Sequence, residues 1–221
     1  MRTRIKICCI SSAEEAGMAI RAGADALGLV GAMPSGPGPI PDAAIAEIAQ
    51  TIHPPVASFL LTSEQTATGI IAHLHRVHTN TVQIVDKLVD GDYQLIKKSF
   101  PAVRVVQVIH VTGPDSIAEA LVAAEGADSL LLDSGNPLAP VKTLGGTGQT
   151  HDWAISREIV RAVNVPVFLA GGLHHENVAA AIRQVRPFAV DVCSGVRTAG
   201  KLDRRKLHDF IRAVGGVSEV D

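Results

Sequence analysis

Residues 165–197, which read VPVFLAGGLHHENVAAAIRQVRPFAVDVCSGVR, decide the fold. The apolar run VPVFLA leads into Gly171-Gly172, an amphipathic stretch follows, and a second apolar run, FAVDVC, leads into Ser194-Gly195. Short apolar runs that alternate with amphipathic stretches are typical of parallel strands joined by helices. This segment is therefore predicted to form two parallel strands with a helix between them, each strand followed by a glycine-containing loop.

The same alternation extends over the rest of the chain. Strand-like runs begin near Ile5, Ala24, Val56, Val82, Val103, Ser129, Val165 and Phe188. Eight such units in 221 residues leave little room for insertions. The pattern therefore favours an α/β fold, a (β/α)8 TIM barrel that forms a single domain over residues 1–221. A doubly wound open sheet is the main alternative.

The predicted helices have recognisable starts and stops. Starts are marked by an S-x-x-E capping box from Ser11 or Ser12 to Glu14 or Glu15, and by the pairs Pro41-Asp42 and Pro114-Asp115. Gly23 and Gly126 follow the first and the fifth helix, where a left-handed cap is expected to need glycine.

Composition excludes several classes of protein. With 47% hydrophobic and 19% charged residues, the chain fits neither a disordered protein nor a coiled coil. Its 20 Lys and Arg against 22 Asp and Glu give a net charge of −2, so a nucleic-acid partner is not expected. Its apolar runs are too short to span a membrane and its N-terminus, MRTRIKICC, lacks a signal-peptide pattern, so we expect a cytoplasmic protein.

Cysteines and histidines give no metal or disulfide signature. The three cysteines are two neighbours, Cys8 and Cys9, and the distant Cys193, which argues against a disulfide framework or a zinc ribbon. Any chemistry at cysteine is therefore expected to come from a free thiol. His73, His75 and His78 lack the i, i+4 spacing of a helical metal site, so no metal is predicted.

The glycine motifs that follow the seventh and eighth strands predict a phosphate site. In barrels, the loops at these two positions can direct backbone N–H groups at an anion, and glycine allows close approach. Gly171 and Gly172 follow one strand, and Ser194 and Gly195 follow the other. The predicted ligand is a phosphorylated small molecule. Two long segments, Pro34–Pro41 and Ser134–Asp152, follow strands at the same end and are expected to be active-site loops.

Cys8 and Asp133 are candidate catalytic residues, because each lies where a predicted strand ends in the mouth of the barrel. Cysteine acts as a base or nucleophile only as the thiolate, so a nearby cation would have to lower its pKa. Lys6, two residues before Cys8, projects to the same side of the strand and is expected to provide part of that positive field. The alternatives are that Cys8 only packs in the core and that Asp133 only forms a turn.

Seven motifs together resemble the phosphoribosylanthranilate isomerase family over nearly the whole chain. They are KICCI near the start, AGADALGLV, VQ at Val82-Gln83, LLLDS, GGTGQTHDW from Gly145, LAGGLHHENV from Leu169, and VRPFAVDVCSGVR from Val185.

The resemblance implies a (β/α)8 barrel that rearranges a phosphoribosylamine into a 1-deoxyribulose 5-phosphate in tryptophan biosynthesis, an Amadori reaction that needs no cofactor. It implies that Cys8 is the general base and Asp133 the general acid. It also implies that Lys6, Gln83, Gly148 and Asp191 contact the substrate, with Asp191 beside the sugar, and that Gly171, Gly172, Ser194 and Gly195 bind the phosphate. The expected assembly is a monomer or a homodimer.

The chain departs from the family pattern mainly where the amine half of the substrate would bind. Pro37 stands where the family has an arginine that pairs with the anthranilate carboxylate, Val85 where it has a histidine, and Gln149 where it usually has a lysine. Cys9 replaces the glycine after the catalytic cysteine, and His110 ends the fifth strand. Two alternatives therefore stay open: the same rearrangement of a different N-(5-phosphoribosyl) amine, and a catalytically silent paralogue that binds a phosphorylated metabolite.

Overall fold

Eight parallel strands form a closed barrel in strand order β1 to β8, as predicted, and the open doubly wound sheet is excluded. The computed structural model describes residues 2–34, 36–135 and 150–217. The strands are β1 (Arg4–Ile7), β2 (Ala26–Val30), β3 (Ala57–Thr62), β4 (Thr81–Ile84), β5 (Arg104–His110), β6 (Ser129–Asp133), β7 (Val167–Leu169) and β8 (Ala189–Val192).

A helix follows each strand and covers the outside of the barrel. The helices are α1 (Ala13–Ala22), α2 (Asp42–Gln50), α3 (Ala67–Val77), α4 (Tyr93–Ser99), α5 (Asp115–Ala124), α6 (Trp153–Ala162), α7 (Val178–Val185) and α8 (Arg204–Gly215). After β8 the chain forms a short 3₁₀ helix, Ser194–Val196, and a hairpin of β9 (Arg197–Thr198) and β10 (Lys201–Leu202) before α8. Within the described residues no helix is long and apolar enough to cross a membrane.

Alternate residues of each strand enter two different apolar clusters. On β5, Val105 and Ile109 join an outer cluster with apolar residues of the helices, whereas Val106 and Val108 join an inner cluster with Leu131 of β6. Because successive side chains of a strand point to opposite faces, the inner cluster fills the barrel and the outer one lies under the helices. The alternation tells which polar residues at the strand ends face the mouth.

The helix ends are formed largely as the sequence indicates. Ser12 caps α1 by accepting a hydrogen bond from the backbone N–H of Glu15, and Gly23 ends α1 with a φ of 110°. The prediction for Gly126 was wrong, because α5 ends at Ala124 and its cap, Glu125, has ordinary right-handed geometry. Gly126 is instead restricted by packing, since a Cβ there would lie 2.5 Å from Cδ2 of Tyr93.

Candidate active site

The predicted catalytic and phosphate-binding residues of the described chain meet at the carboxyl ends of the strands. Cys8 directly follows β1 and belongs to the inner cluster, and Asp133 ends β6 two residues after Leu131 of the same cluster. Gly171 and Gly172 follow β7, and the 3₁₀ helix that begins at Ser194 follows β8. In a closed parallel barrel these ends surround one mouth, which is where barrel enzymes have their active sites.

Lys6 and Asp191 form a buried ion pair just below this mouth. They are register partners on β1 and β8, and Lys6 Nζ donates a hydrogen bond of 2.9 Å to Asp191 Oδ1. Lys6 Nζ also lies 5.2 Å from the centre of the Phe59 ring, a cation–π distance. Burial opposes the ammonium form of Lys6, but Asp191 and Cys8 outweigh burial and raise the pKa of Lys6. The inside of the barrel therefore contains a fixed positive charge paired with a carboxylate.

The Cys8 thiol lies beside this pair and is free but buried. Gly28 makes room for it, because a Cβ at residue 28 would lie 2.8 Å from Cys8 Sγ and 3.1 Å from Lys6 Nζ. Burial raises the pKa of Cys8 to about 11, since the opposing effect of Lys6 is too small and Asp191 adds to the increase. We expected Lys6 to favour the thiolate, and it does lower the pKa of Cys8, but burial and the Asp191 charge paired with Lys6 outweigh that effect.

Asp133 faces the mouth next to His110, its register partner at the end of β5. Its Oδ1 accepts a hydrogen bond of 2.7 Å from the backbone N–H of Ser134, and the carboxyl group is only partly buried. A carboxyl group at this position is open to a substrate in the mouth and is held in one orientation by its own loop. This geometry suits a general acid.

The loops after β7 and β8 approach each other very closely. Gly171 and Gly172 both have positive φ values, 81° and 59°, which glycine adopts most readily. A Cβ at Gly195 would lie only 2.1 Å from the carbonyl oxygen of Leu173, so only glycine fits there without movement of the backbone. The two predicted phosphate loops thus lie against each other, and their glycines leave the backbone of this surface uncovered by side chains.

Gln83 also points into the barrel. Val85, two residues further along the chain, belongs to the inner cluster, and Gln83 is buried. Its Oε1 atom has no hydrogen-bond partner among the described residues. A buried amide oxygen without a partner costs free energy unless a ligand or water meets it, as expected of a substrate-binding residue. The predicted substrate residue Gly148, like Gln149, lies outside the described residues.

Cys9 and Cys193 form a disulfide that we did not expect from the sequence. Their Cα atoms are 5.9 Å apart, although the two residues are 184 positions apart in the chain. Cys9 has a φ of 61°, the left-handed geometry for which the family glycine is suited, and its side chain is accommodated by the bond to Cys193 and by contact with Gly38. Cys8 is therefore the one free thiol among the three cysteines of the chain. The cysteine chemistry that we expected from a free thiol is accordingly assigned to Cys8.

Two residues that we did not select from the sequence surround the site. Arg197 donates hydrogen bonds to the carbonyl groups of Cys8 and Cys9 and pairs with Glu15 at 3.0 Å, so it holds the end of β1 in place. Burial lowers the pKa of His151, against the pull of Asp133, and its Nδ1 has no partner in the described structure. Arg197 is the last residue of the motif CSGVR, but the spacing of that motif does not predict its contacts with Cys8, Cys9 and Glu15.

The histidine-rich segment of α3 has a structural explanation. The His73 ring lies 2.9 Å from Thr62 Oγ1 through Nδ1 and 3.0 Å from Asp42 Oδ1 through Nε2. His73 therefore joins α3 to β3 and α2 outside the barrel. No group of three His, Cys, Asp or Glu residues that could hold a metal ion occurs in the part of the chain that the structure describes.

Comparisons with known proteins identify the family of the chain. Residues 5–213 match the family model described as N-(5'phosphoribosyl)anthranilate (PRA) isomerase. The chain is 36% identical over 213 residues to N-(5'-phosphoribosyl)anthranilate isomerase of Methanocella arvoryzae, which covers 96% of this chain and 98% of the relative.

Solved structures give the same result. The phosphoribosyl anthranilate isomerase of Thermotoga maritima superposes with a TM-score of 0.79 at 30% identity, covering 97% of this chain and 99% of the other. A structure of such an isomerase in complex with reduced 1-(o-carboxyphenylamino)-1-deoxyribulose 5-phosphate superposes with a TM-score of 0.76 at 28% identity, again covering 97% and 99%. Barrel, site and sequence together show that the chain belongs to the N-(5'-phosphoribosyl)anthranilate isomerase family.

Proposed function

We propose that this chain rearranges N-(5'-phosphoribosyl)anthranilate with Cys8 as general base and Asp133 as general acid. As a member of its family it is an aldose–ketose isomerase of tryptophan biosynthesis. The observation that carries the two assignments is the arrangement of a free thiol and a partly buried carboxyl group at the ends of β1 and β6, around one mouth. A protein that only bound its ligand would need neither group.

Asp133 protonates the ring oxygen of the ribose, the C1–O bond breaks, and the amine nitrogen forms a Schiff base with C1. The Cys8 thiolate then removes the proton from C2, and the electron pair moves to give an enolamine. The enolamine takes up a proton at C1 and loses the proton of its C2 hydroxyl group, which leaves a ketone at C2. No electrons leave the substrate in this sequence.

The raised pKa of Cys8 sets a condition on this mechanism. With a pKa of about 11 the group is a neutral thiol near neutral pH, because burial and Asp191 outweigh Lys6. When a sugar hydroxyl of the substrate donates a hydrogen bond to Asp191 in place of Lys6, Asp191 neutralises the Lys6 ammonium less. The ammonium then stabilises the Cys8 thiolate more strongly. Substrate binding thereby favours the thiolate form that the reaction needs.

The phosphate group binds at the bare surface that Gly171, Gly172 and Gly195 form with Ser194. The close approach of these loops and their positive φ values support this assignment. Lys6, Gln83 and Asp191 contact the ribose, because all three face the inside of the barrel and are buried. Gly148 completes the substrate-binding residues on the strength of the family motif alone.

A different amine is the second candidate. Pro37 and Val85 replace the arginine and the histidine that the family pattern leads one to expect on the amine side. The acid, the base and the phosphate loops are unaffected by these replacements, so the same rearrangement of another N-(5-phosphoribosyl) amine is compatible with the site. The silent paralogue is disfavoured, because Cys8 and Asp133 are both retained.

We further propose that residues 1–221 work as a single domain in the cytoplasm, as a monomer or a homodimer. The continuous closed barrel supports the first statement. Membership in a family of biosynthetic isomerases supports the second.

The deciding experiment follows the fluorescence of enzymatically generated N-(5'-phosphoribosyl)anthranilate with the purified protein. Fluorescence is expected to fall with the wild type. We expect Cys8→Ser and Asp133→Asn to lower kcat by roughly 100-fold to 10,000-fold each, the usual contribution of a general acid or base. Calorimetry with inorganic phosphate is the control for an intact site. No turnover by a wild-type protein that still binds phosphate contradicts the anthranilate assignment and favours another amine.

A further inference from the structure

We propose that His110 binds the carboxylate of the substrate's carboxyphenylamino half through its Nδ1 atom. The inference rests on the proposed function, because it needs the phosphate to lie at the β7 and β8 loops. It assigns a specificity-determining contact to a residue outside the acid–base pair and the phosphate loops.

The His110 ring faces the mouth of the barrel. It lies two residues after Val108 on β5, and Val106 and Val108 both belong to the inner cluster. His110 is only 7% exposed. Its register partner on β6 is the proposed acid Asp133. A buried imidazole is thus directed at the place where the reaction occurs.

One nitrogen of the ring is occupied and the other is not. Nε2 lies 2.9 Å from the carbonyl oxygen of Val85. A carbonyl oxygen only accepts, so Nε2 carries the hydrogen. Nδ1 is buried and has no hydrogen-bond partner among the described residues. Because a buried polar atom without a partner is costly, Nδ1 is explained best by a ligand that supplies one.

The amine half of the substrate is the part that reaches this atom. In the closed strand order β3 and β4 lie across the barrel from β7 and β8, and β5 adjoins β4. The phosphate is attached to C5 of the ribose and the amine to C1, at opposite ends of the sugar. A substrate whose phosphate lies at the β7 and β8 loops therefore directs its amine toward the ends of β3 and β4. The His110 ring lies beside the end of β4, because its Nε2 contacts the carbonyl oxygen of Val85.

The chemistry of that half fits a histidine. An o-carboxyphenylamino group presents a carboxylate that needs a hydrogen-bond donor. Lys6 is bound to Asp191, and proline at position 37 and valine at position 85 provide no donor from their side chains. With the second proton on its ring, His110 donates from Nε2 to Val85 and from Nδ1 to the carboxylate. Asp133, the register partner of His110 on β6, is a titratable group beside the ring.

The test compares two phosphorylated ligands by calorimetry. One is reduced 1-(o-carboxyphenylamino)-1-deoxyribulose 5-phosphate, and the other is the same compound with a phenylamino group that lacks the carboxyl. We expect the wild type to prefer the first by about 10-fold to 100-fold, the usual value of a hydrogen bond to a charged group. His110→Gln, whose amide takes the place of Nε2 and leaves Nδ1 without a substitute, should lose this preference.

The conservative variants separate a binding role from a structural one. His110→Asn places its amide near Nδ1, so it should keep part of the preference although it loses the bond to Val85. With substrate, His110→Gln should raise KM by about 10-fold and leave kcat nearly unchanged, since the contact is equal in the ground state and the transition state. His73→Gln is the matched control: another buried histidine, outside the barrel, whose loss should leave the ligand preference as it is.

Three outcomes overturn the proposal. In the first, His110→Gln keeps the wild-type preference for the carboxylated ligand. In the second, it weakens both ligands equally, which indicates a structural role for the bond to Val85. In the third, the wild-type protein shows no preference between the ligands. A wild-type protein that binds inorganic phosphate but neither ligand contradicts the proposed substrate itself, and that result is distinct from a failure at His110 alone.

Discussion

At the scale of single residues, the site depends on how three buried groups share charge. Lys6, Cys8 and Asp191 lie together inside the barrel, where a low effective dielectric makes each charge act strongly on the others. Burial is the main reason that the Cys8 thiol keeps its proton, and Asp191 adds to this effect while it pairs with the Lys6 ammonium. In the mechanism that we propose, Cys8 becomes the base when a hydroxyl group of the substrate engages Asp191.

We therefore expect Asp191→Asn to lower the pKa of Cys8 below its wild-type value of about 11. The substitution removes a negative charge that disfavours the thiolate and leaves Lys6 charged. Alkylation by iodoacetamide near neutral pH should become faster, by about 10-fold for each unit by which the pKa falls. The measurement is the pH dependence of the alkylation rate, with Cys8 identified by mass spectrometry of its peptide under non-reducing conditions.

Asp128→Asn is the control, because Asp128 pairs with Lys97 outside the barrel and should not affect Cys8. An alkylation profile of Asp191→Asn that coincides with the wild-type profile, or lies at higher pH, contradicts the role that we assign to this carboxylate.

At the scale of structural elements, the proposed phosphate site depends on contact between the loops after β7 and β8. A Cβ at Gly195 would lie 2.1 Å from the Leu173 carbonyl oxygen and 3.1 Å from the His174 Cα. The carbonyl group belongs to backbone and has little freedom to move. The two loops can therefore stay together only while residue 195 is glycine.

Gly195→Ala should accordingly force the loops apart and weaken phosphate binding. We expect a destabilisation of about 1–3 kcal/mol, typical of overpacking, and loss of most of the increase in Tm that inorganic phosphate causes in the wild type. Gly113→Ala is the matched control, because Gly113 lies in the loop after β5 and a Cβ there has no atom within 4 Å. If Gly195→Ala keeps the full phosphate-induced increase in Tm, the phosphate does not bind at this contact.

The helices and strands could be predicted from the sequence more fully than the contacts between them. The eight strands and the helix starts were predicted, because residues that alternate or repeat along the chain report local structure directly. Gly126 was misjudged, since its restriction comes from the Tyr93 ring rather than from its own helix. Sequence could not predict the raised pKa of Cys8 or the absence of a hydrogen-bond partner for His110 Nδ1 among the described residues. Both depend on which groups the closed barrel brings together.

At the scale of the whole molecule, closure joins the first strand to the last. β1 pairs with β8, and the disulfide between Cys9 and Cys193 bridges the ends of these strands at the mouth. Only barrel closure brings these cysteines within reach, which is why the sequence did not indicate the bond. The bond fixes the residue after the proposed base to the residue before the phosphate loop.

The disulfide between Cys9 and Cys193 is expected to stabilise the folded protein. A disulfide restricts the unfolded chain, and the effect is larger for a longer loop. With a sequence separation of 184 between the cysteines, we expect reduction to lower the free energy of unfolding by about 2–4 kcal/mol. Denaturant unfolding with and without dithiothreitol measures the difference, and the doubly substituted Cys9→Ser, Cys193→Ser protein should not respond to the reductant. Equal unfolding of the wild type in both conditions, with three reactive thiols after denaturation in each, would mean that the two sulfurs lie close together without a bond. Barrel closure would then depend on strand pairing and packing alone.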